Sequence, residues 1–307
     1  MDDVAETSKT PARRPVIVGV DGSDPSLAAV DLAADEAALR RAPLEVVHAF
    51  NPPVLASVGG APPDLPPVGP SADLTEPALR ERAEELLHEA AERVRRRHPA
   101  LAMISRRHDG APAEVLTDAS HHASLLVLGH RGLGGFTELL VGSVSIQVVN
   151  HATCPVIVVR GSATAAGPVV VGVDGSDGSH RAAEFAAETA VWYGASLTVL
   201  YAWPHDPGWA PAQAQAGEPP PAVPESVTEL VVELTERHPE LSVTPVVRRG
   251  QATHETLVAA SRNARLVVVG ARGIGGFRGL LLGSVSQALV HHSECPVAVV
   301  GPDAPPH

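Results

Sequence analysis

The sharpest chemical signal in the chain is a set of glycines and serines at fixed spacing. Gly129-x-x-Gly132 is followed, after nine residues, by Gly142-Ser143-Val144-Ser145. The same spacing recurs at Gly270, Gly273, Gly283, Ser284, Val285 and Ser286. Each leading glycine follows an apolar run, where a missing side chain lets backbone approach a ligand closely. Each Gly-Ser opens a stretch expected to be helical. A helix start offers unbonded N–H groups and the positive end of the dipole to an anion. The hydroxyls of Ser143 and Ser145 can donate to phosphate oxygens or cap the helix. The dipole supplies only about 0.3–1 kcal/mol, up to about 2 when partly buried. A phosphate ligand would therefore also need burial of its base. Turn glycines with a capping serine are the alternative; two copies in matching strand–loop–helix context weigh against it.

A second pair of motifs stands upstream, Val20-Asp21-Gly22-Ser23 and Val173-Asp174-Gly175-Ser176. Asp21 falls just past the end of an apolar run. It can accept from a ribose hydroxyl, help hold a divalent cation, or serve as a turn or capping residue. Arg131 and Arg272 can stabilise phosphate charge. Enzymatic turnover has less support. No G-x4-G-K-[ST] loop exists, and the only lysine is Lys9. No kinase-type catalytic loop is recognisable. Slow hydrolysis by electrostatics alone stays open.

The elements that must position these residues also come in two copies. Val16–Ser26 matches Val169–Ser179 at an offset of 153, and Leu126–Phe136 matches Val267–Phe277 at an offset of 141. The second copy is thus 12 residues shorter between the motifs. The shortening is expected in the Pro-rich loop, roughly 51–72 in copy one and 204–224 in copy two. Ser162–Gly167, small in composition, reads as a flexible linker. Within copy one, strands are expected at Val16–Val20, Leu44–Phe50, Leu101–Arg106, Ser124–Leu128 and Pro155–Val159. Helices are expected from Ser23 or Asp24, over Glu76–Arg97, from Pro112 to His122, and over Ser143–Asn150. Strands alternating with helices predict an α/β fold of two tandem doubly wound, Rossmann-like domains with parallel sheets. If strand order reverses between the first and fourth strands, Asp21 and Gly129 line one crevice.

Composition sets the remaining bounds. The 307 residues suit two domains, and 44% hydrophobic with 19% charged residues is ordinary for globular chains. The net charge of −12 argues against nucleic-acid or anionic-membrane partners, but not against an anion held by backbone N–H groups. The polar start, with Asp2, Asp3 and Glu6, shows no secretory pattern, and no apolar run reaches about 20 residues. A cytoplasmic location is expected. Cys154 and Cys295 occupy equivalent places before Pro and read as small buried hydrophobes. The histidine pairs His121-His122 and His291-His292 read as solvated or helix-end residues, since neighbours on a helix diverge by about 100°. Arg95–Arg97 reads as a solvated helix end.

On these motifs the chain resembles the universal stress protein family in its tandem form, over about 14–161 and 168–301. The resemblance implies the ATP-binding branch of that family, with ATP, accompanied by Mg²⁺, in each half. It also implies sheets of order 3-2-1-4-5. The implied nucleotide contacts in copy one are Asp21, Val47, Gly129, Arg131, Gly132, Gly142, Ser143, Val144 and Ser145. In copy two they are Asp174, Leu200, Gly270, Arg272, Gly273, Gly283, Ser284, Val285 and Ser286. The implied role is regulatory, in stress or dormancy; the alternatives are a slow ATPase or phosphotransfer enzyme, or an interaction scaffold whose pockets stay empty, against which the intact motif in both halves stands. In the implied order the apolar fifth strands are exposed edges unless covered. They are expected to pair antiparallel within one chain, with a homodimer of whole chains as a separate step. The copies differ after the first glycine: His130 matches Ala271, and Thr137-Glu138 matches Arg278-Gly279. The loop charges predict tighter triphosphate binding in copy two.

Overall fold

The computed structural model describes residues 13–51, 75–133, 141–162, 164, 166–203, 224–249, 252–273 and 282–302. The Pro-rich loops lie almost wholly outside these described residues. In the first half, apolar runs form β1 (Val16–Gly19), β2 (Leu44–Phe50), β3 (Met103–Asp109), β4 (Leu125–Gly129) and β5 (Val156–Val159). Between them lie α1 (Asp24–Arg40), α2 (Glu76–Arg97), α3 (Pro112–Ser120) and α4 (Ser143–His151). The second half repeats the series as β6 (Val169–Val173), α5 (Asp177–Tyr193), β7 (Leu197–Trp203) and α6 (Glu225–Arg237). It continues with β8 (Val243–Arg249), α7 (Thr253–Ser261), β9 (Leu266–Gly270), α8 (Ser284–His292) and β10 (Val297–Val300).

All ten strands form one sheet, ordered β3-β2-β1-β4-β5-β10-β9-β6-β7-β8. Each half is parallel and has the order 3-2-1-4-5 expected from the resemblance. The central strands are buried on both faces, which suits near-continuous runs of Val, Ile and Leu. Ser23 caps α1 by accepting from the Ser26 N–H at 3.3 Å, and Ser176 caps α5 in the same way at 3.2 Å. Two guanidinium forks, Arg93 on Asp31 and Arg97 on Asp35, strap α2 to α1. The Arg95–Arg97 run is thus only partly a solvated end.

Three local expectations need correction. Strand three starts two residues later and ends three residues later than expected, at Met103 and Asp109. Leu101 instead closes a turn, its N–H donating to the His98 carbonyl, and the charged residues to Asp109 pair in register with β2. The shortening of copy two lies mostly in a helix: α2 has 22 residues and α6 has 13. The linker is docked. The Ser162 N–H donates to Glu294 O at 3.1 Å and the Thr164 N–H to Ala264 O at 3.2 Å.

The fifth strands pair antiparallel, as expected. Val158 faces Val297, Ile157 faces Ala298 and Val156 faces Val299. At the offset of 141, Val156 corresponds to Val297 and Ile157 to Ala298. The ladder is therefore its own image under a pseudo-two-fold axis that passes between Ile157 and Ala298. The same axis relates α1 to α5. Arg40 donates from Nη2 to Thr189 Oγ1 at 3.4 Å, and Tyr193 OH donates to Glu36 Oε1. These contacts are symmetry equivalents, because Arg40 matches Tyr193 and Glu36 matches Thr189 at the offset of 153. Arg40 also pairs with Glu36 along α1 and lies over the Trp192 ring at 4.3 Å. Burial lowers the Arg40 guanidinium to about 10, against the opposing charges of Tyr193 and Glu188.

Removing one partner of a buried pair strands the other charge. Arg40→Met should cost about 3–5 kcal/mol of unfolding free energy in urea titrations. The double substitution Glu36→Leu with Arg40→Met should recover most of that loss. A single variant as stable as the parent would show that the pair holds nothing together.

Candidate functional site

Both motif sets converge at the carboxyl ends of the parallel strands. β1 lies between β2 and β4, so the chain reverses direction of build between β1 and β4, and a crevice opens there. In the first half a cavity of about 520 Å³ fills this crevice. All nine residues singled out from sequence line it: Asp21, Val47, Gly129, Arg131, Gly132, Gly142, Ser143, Val144 and Ser145. In the second half a cavity of about 190 Å³ is lined by Asp174, Gly270, Arg272, Gly273, Gly283, Ser284, Val285 and Ser286. Leu200 is not in that lining; it is buried and pairs with Gly172, as Val47 pairs with Gly19.

The motif glycines divide into two kinds. A Cβ on Gly129 would meet the Pro25 carbonyl carbon at 2.6 Å, and one on Gly132 would meet Asp21 Oδ2 at 2.2 Å. Gly270 and Gly273 are equally confined, by Gly178 at 2.9 Å and by Asp174 Oδ2 at 2.0 Å. The fold itself requires these four. Gly142 and Gly283 differ. Their N-cap backbone is extended, with φ of −72° and −74°, which any residue adopts. A Cβ there would meet the nearest described atoms at 3.6 Å and 3.5 Å, ordinary contact distances. Neither conformation nor crowding among the described residues calls for glycine at these two positions.

Asp21 holds the loop closed. Its Oδ1 accepts from the Ser23 N–H at 3.0 Å and the Ser23 hydroxyl at 2.7 Å, and its Oδ2 accepts from the Leu133 N–H at 2.8 Å. Asp174 receives the same pair from Ser176, at 3.0 and 2.6 Å. Ser145 and Ser286 are buried, and their hydroxyls donate to backbone: Ser145 to Gly129 O at 2.8 Å, Ser286 to Ala271 O at 3.0 Å. These two serines fix the loop against the helix. Ser143 and Ser284 stay at the cavity wall, and α4 and α8 begin without a side-chain cap. Arg131 lines the first cavity, and its buried Nε has no hydrogen-bond partner among the described residues.

Sequence reading missed the apolar wall. Leu116, Leu128 and Pro112 line the first cavity, and Leu257 and Val269 the second. A Cβ on Gly19 would strike Leu128 at 2.9 Å, so that glycine admits the wall. The signal was present: Leu116 and Leu257 are apolar and stand 141 apart. Glu138 and Arg278, on which the expected difference in affinity rested, lie outside the described residues. His130 is described. Its Nδ1 is 3.0 Å from Val159 O, and a carbonyl only accepts, so Nδ1 carries the proton. Burial pushes its pKa down, and the charges of Arg160 and Arg131 push the same way, against the bond to Val159. Burial raises the Cys154 thiol to about 12 and the Cys295 thiol to about 11, so both are unreactive near neutrality. Among the described residues no group of three His, Cys, Asp or Glu side chains could hold a metal, and no helix is long and apolar enough to cross a membrane.

Comparison with known proteins agrees with this geometry. The profile of the universal stress protein family matches residues 12–160 and again 166–301. A universal stress protein of Mycolicibacterium smegmatis is 34% identical over 298 residues, covering 94% of this chain and 97% of the relative. One from Mycobacterium tuberculosis is 33% identical over 302 residues, covering 92% and 95%. A crystal structure of a universal stress protein from Archaeoglobus fulgidus superposes with a TM-score of 0.69 at 21% identity, covering 94% of this chain and 98% of that one. That likeness speaks for the fold. Two profile matches in tandem and relatives aligned along nearly their full length lead to one conclusion: the chain belongs to the universal stress protein family.

Proposed function

We propose that this protein is an ATP-binding regulatory protein with one nucleotide in each half, over about 14–161 and 168–301. The observation that carries the reading is the freedom around Gly142 and Gly283. A glycine that no described neighbour requires, at an uncapped helix start inside a cavity, is explained by something that must come closer than a Cβ allows. Phosphate oxygens on the first-turn N–H groups of α4 and α8 are that something. The buried Nε of Arg131, unpartnered among the described residues, adds a donor for the same anion. The apolar wall of Val47, Leu116 and Leu128 gives the base a place to be buried, which the dipole's small contribution makes necessary.

Mg²⁺ would arrive on the phosphates rather than on a protein cage. Asp21 already accepts three hydrogen bonds, two from Ser23 in its own loop and one from Leu133 in the loop after β4, and its remaining lone-pair capacity suits a ribose hydroxyl. The role follows from what surrounds the phosphates. No described side chain is placed to orient an attacking water, so binding and release of ATP, with slow hydrolysis at most, carry the signal. ATP supply makes the cytoplasm the working compartment, with stress or dormancy the setting the resemblance implies. Association of whole chains into a homodimer would use surfaces other than β5 and β10, which the two halves use on each other.

Calorimetry on nucleotide-stripped protein should give about two ATP per chain. Gly142→Val and Gly283→Val should each remove about one site, with little loss of stability in the absence of nucleotide. Gly132→Ala should instead lower the melting temperature of the ligand-free protein, by about 1–3 kcal/mol of stability, because its Cβ collides with Asp21. A stoichiometry of zero, or site variants that bind like the parent, would sink the reading. Turnover should lie below the range of about 1–100 s⁻¹ typical of kinases. Kinase-range turnover that a site variant abolishes would turn the binder into an enzyme.

A further inference from the structure

A second groove of the first half lies at the opposite end of its strands from the nucleotide crevice. It has a volume of about 530 Å³ and opens where α1 and α2 end and β2 and β3 begin. Arg41, Pro43, Arg97, His98, Pro99, Leu101 and four alanines line it, and no described carboxylate does. Arg97 and His98 are both held on Asp35, at 2.6 and 2.7 Å. Arg41 is exposed, and its guanidinium has no hydrogen bond or ion pair among the described residues. Its backbone has φ of 51°, the only positive φ outside glycine among those residues. At the equivalent turn after α5 stands Gly194, with φ of 60°. Glycine enters this region freely and an L side chain does not. The second half therefore has the residue that suits the turn, and the first half has a long, unpaired cation facing a groove.

We propose that this groove is the docking site of the chain's own acidic N-terminal segment, residues 1–12. The segment lies outside the described residues, but the point where it joins them does not. Arg13 Nη1 donates to Arg40 O at the end of α1, and the Val16 N–H donates to Pro43 O. The chain therefore enters β1 beside Arg41 and Pro43. The segment carries Asp2, Asp3 and Glu6, with Val4 and Ala5 between them, and one cation, Lys9. Carboxylates and small apolar side chains thus meet a groove of cations, prolines and a leucine. A segment of this length reaches at most about 40 Å, which spans the groove with chain to spare. Tethering holds it at a local concentration of about millimolar, so individually weak ion pairs suffice. The repeat supplies an internal control. The segment before β6, Ser162–Gly167, has no acidic residue. In the matching place of the second half, Gly194 stands for Arg41 and Glu240 for Ala100. The half preceded by acid has the cation; the half preceded by a neutral segment has a glycine there and an acid nearby. No residue of this groove lines either nucleotide cavity.

Lys9 is the only lysine, so a lysine-specific protease can cut the full chain at one bond, folded or unfolded. With Asp2–Glu6 seated and Arg13 held, that bond lies in a stretch fixed at both ends, and cutting follows the undocked fraction. Each rate, read by mass spectrometry, is divided by the rate for the same chain in urea, which removes the protease's own preference for local sequence. At low salt, Arg41→Glu should be cut about fivefold faster than the parent. Arg41→Gly should also be cut faster; glycine favours that turn, so a damaged fold would not account for the loss. The joint change Asp2→Arg, Asp3→Arg and Glu6→Arg should speed cutting beside Arg41 and slow it again beside Arg41→Glu. High salt should bring the parent and Arg41→Glu together. Equal normalised rates for the parent, Arg41→Glu and the reversed segment overturn the proposal. Protection that fades on dilution would give the groove to the segment of a second copy, and overturns docking within one chain.

Discussion

The antiparallel pairing of β5 with β10 is the constraint on which the rest of the molecule depends. Each half alone would end in a short, wholly apolar strand with an open edge, a template for aggregation. Joined, the two edges become the centre of a ten-stranded sheet. The edges that remain are guarded. β3 presents Arg106 and Arg107, and β8 contains Pro245, which has no N–H to extend a ladder. Antiparallel pairing also points the carboxyl ends of the two parallel halves in opposite directions. The two crevices therefore open at opposite ends of the sheet. The last turn of α8, the helix that starts at the second cavity, meets Arg160 of the first half.

Within each crevice the glycines sort by what they avoid. Gly129, Gly132, Gly270 and Gly273 let the loop pack on Pro25, Gly178 and the two aspartates. Mutating them tests folding. Gly142 and Gly283 avoid nothing that the described chain contains, and mutating them tests binding. The same division runs through the polar residues. Ser145, Ser286 and Asp21 spend their hydrogen bonds on the loop, while Ser143 and Arg131 face the cavity. A motif read from sequence mixes these roles because spacing alone does not say which partner a side chain has chosen.

Much of the fold was legible because the chain states it twice. A single Gly-x2-Gly pattern is weak, but a repeat fixes alignment, and the alignment carries the strands, the crevice and the pseudo-symmetry. Burial on both faces made β1, β4 and β5 readable as unbroken apolar runs. β3, an edge strand of Ser, Arg and His, has no such run, and its ends were misplaced for that reason. The shortening of α6 was invisible because a charged helix and a polar loop have similar composition. The docking of the linker depends on the carbonyls of Glu294 and Ala264, about 100 or more residues away, which no local pattern reports. Leu200 failed to line its cavity although its register matches that of Val47, since register fixes a face but not the depth at which the face is covered.

The contact between α1 and α5 shows what covalent duplication permits. At a true two-fold axis, position 40 of each copy would face position 36 of the other. A pair of first halves would bury two Arg40 and two Glu36 side chains together. Desolvation costs several kcal/mol per ion, and further hydrogen bonds would be needed to offset it. In the tandem chain the equivalent positions differ. Thr189 and Tyr193 offer a hydroxyl to each charged partner, and Trp192 lies against the guanidinium face. One charged pair is buried where a symmetric dimer would have to bury two. The same freedom acts behind the loops after β4 and β9, where His130 and Arg160 of the first half match Ala271 and Gly301 of the second. Fusion keeps the pseudo-two-fold pairing while allowing each side of the axis its own chemistry, as Glu36 and Arg40 on α1 do against Thr189 and Tyr193 on α5.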